Sequence, residues 1–309
     1  MARDVAVLIP CYNEEQTIAK VVKDFRKVLP DARVYVFDNN SSDKTVEKAK
    51  AAGAIIEKVT RQGKGSVVRE MFQRVEAEKY IMVDGDDTYA AEDAVKMLEM
   101  VDEGVDMVVG DRLNSTYFSE NKRFGHGFGN VLVRKIINII FKSKIQDVMT
   151  GYRAFSRRFV KTCPILSDGF QVETEMTVHA LDKKMNVGSM PIQYRDRPSG
   201  SESKLNTVSD GIKVLAMIFD LIKECRPLLF FTCVSLVLLI LAAILVVPVC
   251  VEYVQTGLVE RFPSLIVAVM LILLASMLFI AGMILDVMIK KDRQRFQIAL
   301  MNLDEGTDE

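Results

Sequence analysis

Short apolar runs alternate with amphipathic segments from Val5 to Gly110. The segments between the runs carry apolar residues at helical spacing, as Ile18, Val22 and Phe25 do. A short apolar run between such segments is typical of a buried parallel strand. We therefore predict an α/β domain with a doubly wound, Rossmann-like, mostly parallel sheet. The predicted strands are Val5–Pro10, Val34–Phe37, Ala54–Val59, Tyr80–Val83 and Met107–Gly110.

Three carboxylates, those of Asp84, Asp86 and Asp87, directly follow the fourth predicted strand. Open α/β sheets bind ligands at the carboxyl ends of their strands, so these side chains should line a cleft. Crowded carboxylates repel one another unless a cation lies between them. Because no His or Cys lies nearby in the sequence, the hard oxygen ligands favour Mg²⁺ or Mn²⁺. The alternative is a solvated acidic turn, since Asp-Gly pairs are common in turns.

Other predicted strands also end in polar segments, namely Tyr12–Glu14, Asp38–Asp43 and Arg61–Gly65. The carboxyl ends of parallel strands meet at one edge of the sheet, where a nucleotide would bind. The sequence lacks the G-x-G-x-x-G fingerprint, which argues against a dinucleotide site. Gly63-Lys64-Gly65 lacks the Walker spacing, which argues against a P-loop.

Two uncharged stretches, Leu228–Val251 and Phe262–Leu285, are each 24 residues long. Since about 20 apolar residues span a bilayer, we predict two transmembrane helices joined by a short loop. They raise the mean hydropathy of the chain to +0.17. Basic residues flank the pair on its outer sides, which by the positive-inside rule places both termini in the cytoplasm. These residues are Lys213, Lys223, Arg226, Lys290, Lys291, Arg293 and Arg295.

The predicted organisation has four parts. They are a cytoplasmic α/β domain at 1–205, a juxtamembrane amphipathic helix at 206–226, a transmembrane hairpin at 227–289 and a cytoplasmic tail at 290–309. The protein would be a multi-pass protein of the cell inner (plasma) membrane. The tail is polar beyond Gln294, and we expect it to be frayed. The N-terminus leads directly into the first predicted strand, so we expect no signal peptide.

Three segments of the second half each allow two interpretations. The basic amphipathic helix at Asn130–Phe141 fits a membrane surface or the domain core. The loop Arg195–Lys204 fits phosphate binding or attachment to anionic lipid headgroups. Glu173 and Glu175, at a predicted helix start, fit a functional role or capping of that helix.

The remaining reactive side chains and the overall charge indicate no further site. The cysteines lack metal-ligand spacing, and we interpret them as small apolar residues in a reducing compartment. His126 and His179 stand alone in the sequence and are expected to be structural. A formal net charge of −1 points to no nucleic-acid partner. The cysteines are Cys11, Cys163, Cys225, Cys233 and Cys250.

Six motifs occur in order between residues 5 and 204, and together they resemble glycosyltransferase family 2. The resemblance points to its polyprenyl- and dolichyl-phosphate sugar synthases, in particular to bacterial members with two C-terminal transmembrane helices. It implies a GT-A fold and a nucleotide-sugar donor. The motifs are Pro10–Glu14, Asp38–Asp43, Gly63–Gly65, Asp84–Asp86, Thr150–Arg153 and Arg197–Lys204.

The resemblance also implies roles for individual residues. Asp84 and Asp86 would bind the metal. Many relatives continue with Leu-Gln and two prolines, whereas this chain continues with Asp87 and Thr88, so Asp87 becomes the candidate third ligand. The expected donor-binding residues are Pro10, Tyr12, Asn13, Glu14, Asp38, Asn40, Lys64, Asp84 and Gly85. The expected acceptor-phosphate residues are Arg112, Arg123, Arg197, Ser203 and Lys204, and the expected catalytic residues are Asp86, Asp147, Arg112 and Lys204.

The implied reaction is a metal-dependent, inverting transfer of a hexose from a nucleotide-sugar to a polyprenyl (undecaprenyl) monophosphate. UDP-glucose or a related UDP-sugar is the expected donor, with Mg²⁺ or Mn²⁺ as cofactor. The product would be a lipid-linked sugar donor for cell-envelope glycan modification, made at the lipid bilayer; assembly as a homo-oligomer is a further expectation. The alternatives are GDP-mannose as donor, as in dolichol-phosphate-mannose synthases, and a non-catalytic membrane scaffold that retains the fold. A processive polysaccharide synthase is disfavoured, because it would carry a Gln-x-x-Arg-Trp signature and this chain has no Trp.

Overall fold

The computed structural model describes residues 4–112, 126–169, 171–195 and 219–305. The expected acceptor-phosphate residues Arg123, Arg197, Ser203 and Lys204 lie outside these ranges. Most of the predicted juxtamembrane helix also lies outside them, and its last residues, 219–225, are helical.

A mostly parallel sheet of seven strands forms the centre of the described α/β domain. The strands are β1 (Val5–Cys11), β2 (Arg33–Asp38), β3 (Ile55–Lys58), β4 (Lys79–Met82), β5 (Met107–Asp111), β6 (Arg153–Ser156) and β7 (Val187–Pro191). Their spatial order is β3-β2-β1-β4-β6-β5-β7, and β6 alone pairs antiparallel with its neighbours in this sheet. The predicted mostly parallel α/β sheet is therefore confirmed.

Helices follow most of these strands along the chain. In the described ranges they are α1 (Ile18–Val28), α2 (Thr45–Ala51), α3 (Lys64–Arg74), α4 (Asp93–Asp102), α5 (His126–Phe141), α6 (Arg157–Thr162), α7 (Val172–Asp182), α8 (Pro227–Thr256) and α9 (Phe262–Glu305). The predicted amphipathic helix at Asn130–Phe141 corresponds to α5, which begins four residues earlier, at His126.

Both faces of the central strand β1 are buried. Val7 and Ile9 belong to the main apolar core, together with Phe25 of α1. Ala6 and Leu8 alternate with them, so they point to the opposite side of the sheet, and they are equally buried. Burial on both faces explains why this strand reads as a continuous apolar run in the sequence.

Strand register brings the ends of β1, β2 and β4 together. Cys11, at the end of β1, pairs with Asp38, the last residue of β2. Met82, the last residue of β4, pairs with Leu8 of β1. The ladder continues one residue further, since Val83 N–H donates to Leu8 O at 3.1 Å. The polar segments that follow these strands therefore start side by side.

Helices α8 and α9 are long and apolar enough, by length and composition, to cross a membrane. Their most apolar stretches have mean hydropathies of 3.2 and 2.9. Helix α9 contains 44 residues and remains helical to Glu305, so the expectation of a frayed tail beyond Gln294 is wrong for residues 295–305. At about 1.5 Å per residue, α9 is longer than the ~30 Å core of a bilayer, so part of it must extend beyond that core.

Small residues line the contact between α8 and α9. Ser235 of α8 is buried, and its Oγ donates to Ala275 O of α9 at 2.8 Å. A Cβ added at Gly282 would lie only 2.8 Å from Phe231 Cβ. Small side chains let two helix backbones approach closely in a membrane. Buried residues recur at intervals of seven, at Ser235, Ala242 and Val249 in α8 and at Ala268 and Ala275 in α9.

We expect Gly282→Leu to lower the thermal stability of the protein purified in detergent. The new side chain must displace Phe231 or separate the two helices, and such overpacking costs roughly 1–3 kcal/mol. The control is Met283→Leu, because Met283 is 41% exposed. Equal melting temperatures for Gly282→Leu and the wild type would contradict the close packing described here.

Candidate active site

The turns that follow β1 and β2 hold each other through hydrogen bonds. Asn13 N–H donates to Ser41 Oγ at 2.9 Å, and Asn13 Oδ1 accepts from Ser42 N–H at 2.8 Å. Glu14 N–H donates to Thr45 Oγ1 at 2.8 Å. Asn13 has a left-handed φ of 56°, a conformation in which Asn is enriched. The structure thus brings together, at one edge of the sheet, the expected donor-binding residues Pro10, Tyr12, Asn13, Glu14, Asp38 and Asn40.

The three carboxylates after β4 have different surroundings. Asp86 is 4% exposed, and its Oδ1 accepts a hydrogen bond of 2.6 Å from Thr88 Oγ1. Asp87 has a left-handed φ of 59° and forms an ion pair of 2.6 Å with Lys20 of α1. Asp84 Oδ1 lies 2.6 Å from the ammonium of Lys64. Three carboxylates that lie within four consecutive residues are therefore divided among separate partners.

Glycine at position 151 allows a close approach of Asp84 to the neighbouring backbone. A Cβ added at Gly151 would lie 2.2 Å from Asp84 Oδ2. Gly85, the residue between the two carboxylates, is also fixed, because Thr17 Oγ1 donates to Gly85 O at 2.6 Å. The turn after β4 is thus held from both sides.

Asp84 and Asp86 suit a hard divalent cation by their chemistry. The described part of the chain contains no group of three or more His, Cys, Asp and Glu side chains that could hold a metal ion. Mg²⁺ is usually held by one or two carboxylates plus substrate phosphates, so a larger protein cluster is unnecessary. The ammonium beside Asp84 Oδ1 shows that this carboxylate already binds a positive group. We conclude that the pair fits such an ion.

Lys64 is buried between two carboxylates that are far apart in the sequence. Its ammonium lies 2.6 Å from Asp84 Oδ1 and 2.6 Å from Glu173 Oε1. Burial lowers the pKa of Lys64, but the two carboxylates together outweigh burial and raise this pKa above its ordinary value. Glu173, which the sequence placed at a helix start, is therefore a partner of a protonated lysine in the site.

Arg112 and Asp147 form a bidentate ion pair beyond the end of β5. Arg112 Nε and Nη2 lie 2.7 Å and 3.1 Å from the two carboxylate oxygens of Asp147, which is fully buried. The guanidinium also lies over the ring of Tyr194, 5.6 Å from its centroid. The structure thus brings together two residues that the sequence proposed as catalytic.

Tyr89 connects the two charged regions. Gly151 N–H donates to Tyr89 Oη at 3.3 Å. Burial raises the pKa of Tyr89, while Arg112 lowers it and Asp84 raises it further. Both charged groups therefore act on the same side chain, and the candidate site extends from Asp84 to Arg112 along the carboxyl edge of the sheet.

Comparison with known proteins assigns this chain to a family. The family described as Glycosyl transferase family 2 matches residues 6–163, which is over half of the 309 residues. The chain belongs to this family. It is therefore a glycosyltransferase, as the six motifs predicted.

Two relatives from Haloferax volcanii cover most of the sequence. Glycosyltransferase AglJ is 36% identical over 228 residues, which are 74% of this chain and 75% of that protein. Dolichyl-phosphate hexose transferase is 28% identical over 223 residues, which are 72% of this chain and 96% of that protein.

A solved structure with the same fold is glucosyl-3-phosphoglycerate synthase from Mycobacterium tuberculosis, in complex with Mn²⁺, uridine-diphosphate and glucosyl-3-phosphoglycerate. Its TM-score is 0.57 at 17% sequence identity, and the match covers 72% of this chain and 80% of the other. This similarity agrees with the predicted GT-A fold class.

In this glycosyltransferase, the segment before α7 packs over the start of α3. Arg69 of α3 donates to a backbone carbonyl of that segment at 2.6 Å. Glu175 of α7 accepts from Leu166 N–H at 2.7 Å, so it fixes this segment rather than capping its own helix. Asp168 O accepts from Gly65 N–H at 3.1 Å. The contacts of Arg69 and Gly65 join residues about 100 positions apart in the sequence, and no local pattern indicated them.

Arg153, the first residue of β6, is a structural residue of the site. Its fully buried guanidinium donates to Val148 O at 2.6 Å, to Thr150 O at 3.1 Å and to Thr177 Oγ1 at 2.9 Å. Burial lowers the pKa of Arg153 to about 10. These bonds fix the segment that follows Asp147 against α7.

We expect Arg153→Met to lower the free energy of unfolding by about 1–3 kcal/mol, because buried carbonyl groups lose their donors. Thermal melting of the purified protein measures the change. Arg158→Met is the matched control, since Arg158 is exposed and its replacement should change stability little. Similar melting temperatures for both variants would show that the buried network is not stabilising.

Proposed function

We propose that this glycosyltransferase transfers a hexose from a nucleotide-sugar to a polyprenyl monophosphate, with inversion at the anomeric carbon. The observation that carries this proposal is the charge arrangement at one sheet edge. There, Asp84 and Asp86 suit a metal ion, and the cation Arg112 suits a phosphate. The name of the relative dolichyl-phosphate hexose transferase supports a lipid phosphate as the acceptor.

The donor would bind at the turns after β1, β2 and β4. Tyr12, Glu14 and Asp38 would contact the base and the ribose. Asp84 and Asp86 would hold Mg²⁺ or Mn²⁺, which when bound neutralises the diphosphate leaving group. The presence of Mn²⁺ and uridine-diphosphate in the Mycobacterium tuberculosis structure supports a divalent cation and a nucleotide donor for this fold.

Asp87 is better explained as a residue that fixes the turn than as a third metal ligand. Its carboxylate forms an ion pair with Lys20 of α1, and its backbone has a left-handed φ. Oxygen atoms of the donor diphosphate would complete the coordination, as is usual for Mg²⁺ in phosphate-transferring sites.

The acceptor phosphate would bind near Arg112, assisted by Arg123, Arg197, Ser203 and Lys204. A phosphate monoester has a second pKa of about 6, so it is largely dianionic at neutral pH and needs no general base. One of its oxygens forms a bond to the anomeric carbon while the bond from that carbon to the donor diphosphate breaks. The nucleoside diphosphate leaves with the bonding electrons. Asp147 would orient Arg112 in this step rather than accept a proton.

We further propose that α8 and α9 form a transmembrane hairpin, with the catalytic domain and both termini in the cytoplasm. The basic residues that flank the hairpin support this orientation. The proposed donor is UDP-glucose or a related UDP-sugar, and GDP-mannose is the alternative. Assembly as a homo-oligomer stays a prediction.

The test is incubation of membranes that contain the protein with undecaprenyl phosphate and a panel of nucleotide-sugars that includes UDP-glucose and GDP-mannose. We expect one donor to yield a lipid-linked hexose, identified by mass spectrometry. Asp86→Asn or a chelator should lower its formation about 100-fold or more, because the leaving group loses its stabilisation. Asp31→Asn, at an exposed position after α1, is the control. Product formation that survives both treatments would refute the metal role.

The variant Asp147→Asn tests the role of the Arg112–Asp147 pair. Loss of the carboxylate should let the guanidinium change orientation and raise the KM for the lipid phosphate about tenfold, roughly the effect of 1.4 kcal/mol. The KM for the nucleotide-sugar should stay unchanged. If Asp147 were a general base, Asp147→Asn would instead lower kcat and shift its pH profile, and the KM for the lipid phosphate would stay unchanged.

A further inference from the structure

The ion cluster of Lys64, Asp84 and Glu173 combines one ammonium with two carboxylates. Each carboxylate has an oxygen 2.6 Å from the ammonium. The side chains of Lys64 and Glu173 are 13% and 5% exposed, whereas that of Asp84 is 26% exposed. Solvent and ions can therefore reach the cluster at Asp84, whereas Glu173 is nearly buried.

The backbone around Lys64 is fixed by close packing. Lys64 is the first residue of α3 and has a glycine on each side. A Cβ added at Gly63 would lie 2.1 Å from Asp168 O, and one added at Gly65 would lie 2.1 Å from Ser167 O. Because the start of α3 is confined in this way, Lys64 can change partner only by moving its side chain.

A cation bound at Asp84 would lie close to the Lys64 ammonium, so the two positive groups would repel each other and compete for the negative charge of that carboxylate. A buried ammonium that loses every anionic partner is strongly destabilised. Glu173 avoids this situation, because its carboxylate already lies within hydrogen-bond distance of Lys64. The ammonium can therefore leave Asp84 and keep a charged partner.

We propose that Glu173 is a positioning residue, which retains Lys64 when Asp84 exchanges the ammonium for a divalent cation. This inference rests on the metal role proposed above for Asp84. Glu173 would set the affinity of the enzyme for its metal without contacting the metal. The competing interpretation makes Glu173 a metal ligand itself.

Titration of the full-length protein in detergent with Mn²⁺ alone tests this proposal, with the electron paramagnetic resonance signal of free Mn²⁺ as the readout. In Glu173→Gln, the ammonium has lost one of its two carboxylates and competes more strongly for Asp84. We expect the Mn²⁺ dissociation constant to rise about 10- to 100-fold. Glu70→Gln is the control. It also removes one negative charge, but from the ion pair of Glu70 with Arg74 on α3. The control should bind Mn²⁺ like the wild type.

The double variant Lys64→Met with Glu173→Gln separates the two interpretations. It removes the competing ammonium together with the carboxylate, so it should bind Mn²⁺ at least as tightly as the wild type. If Glu173 were a metal ligand, the double variant would bind weakly. The double variant leaves no ammonium in the cluster, so it supplies the measurement even if thermal melting shows that the single variant does not fold.

The possible results separate this inference from the proposed function. Wild-type affinity in Glu173→Gln would overturn the inference and leave the proposed function intact. A lower Mn²⁺ affinity in the double variant than in the wild type would also overturn the inference and leave the proposed function intact. If the wild type shows no saturable binding of Mn²⁺ alone, the titration is repeated with uridine diphosphate, whose oxygens would complete the coordination. Lack of saturable binding there as well would overturn the metal role in the proposed function, and this inference with it.

Discussion

Compensation of negative charge at the carboxyl edge of the sheet governs the arrangement of this site. Carboxylates that are largely removed from water require partners of opposite charge or hydrogen-bond donors. Asp84 has Lys64 from α3, Asp87 has Lys20 from α1, and Asp147 has Arg112 from the end of β5. Because each cation comes from a different element, these pairs fix the elements relative to the edge. The same pairs determine which of these carboxylates already has a positively charged partner.

The sheet and its functional edge could be predicted from the sequence for a physical reason. The strands β1 and β4 are buried on both faces, so each must be apolar at successive positions, and such runs are easily recognised. Parallel strands also place their carboxyl ends together, so the sequence predicts that Asp38 and Asp84 lie at one edge. The order of the motifs then identified the family that the comparison confirmed.

The contacts that complete the site could not be predicted in this way. Glu173 lies at the start of α7, where a carboxylate is favoured by the helix dipole, so its sequence position already had a sufficient explanation. Its pairing with Lys64 depends on how α7 packs against α3, which no local pattern encodes. The C-terminal end of α9 was misjudged for a different reason. Its polar residues are mostly good helix formers, so polarity did not indicate fraying there; they include Lys290, Lys291, Arg293, Gln294, Arg295 and Gln297.

The antiparallel strand β6 has a geometric consequence for the chemistry. It lies between β4 and β5, so the strand that precedes Asp84 and the strand that precedes Arg112 are not neighbours. Adjacent strands are about 4.8 Å apart, so one inserted strand separates their axes by roughly 10 Å. Main-chain hydrogen bonds set this gap, and side chains in the surrounding loops do not. Substitutions confined to the loops at this edge would therefore leave the spacing between the ends of β4 and β5 unchanged.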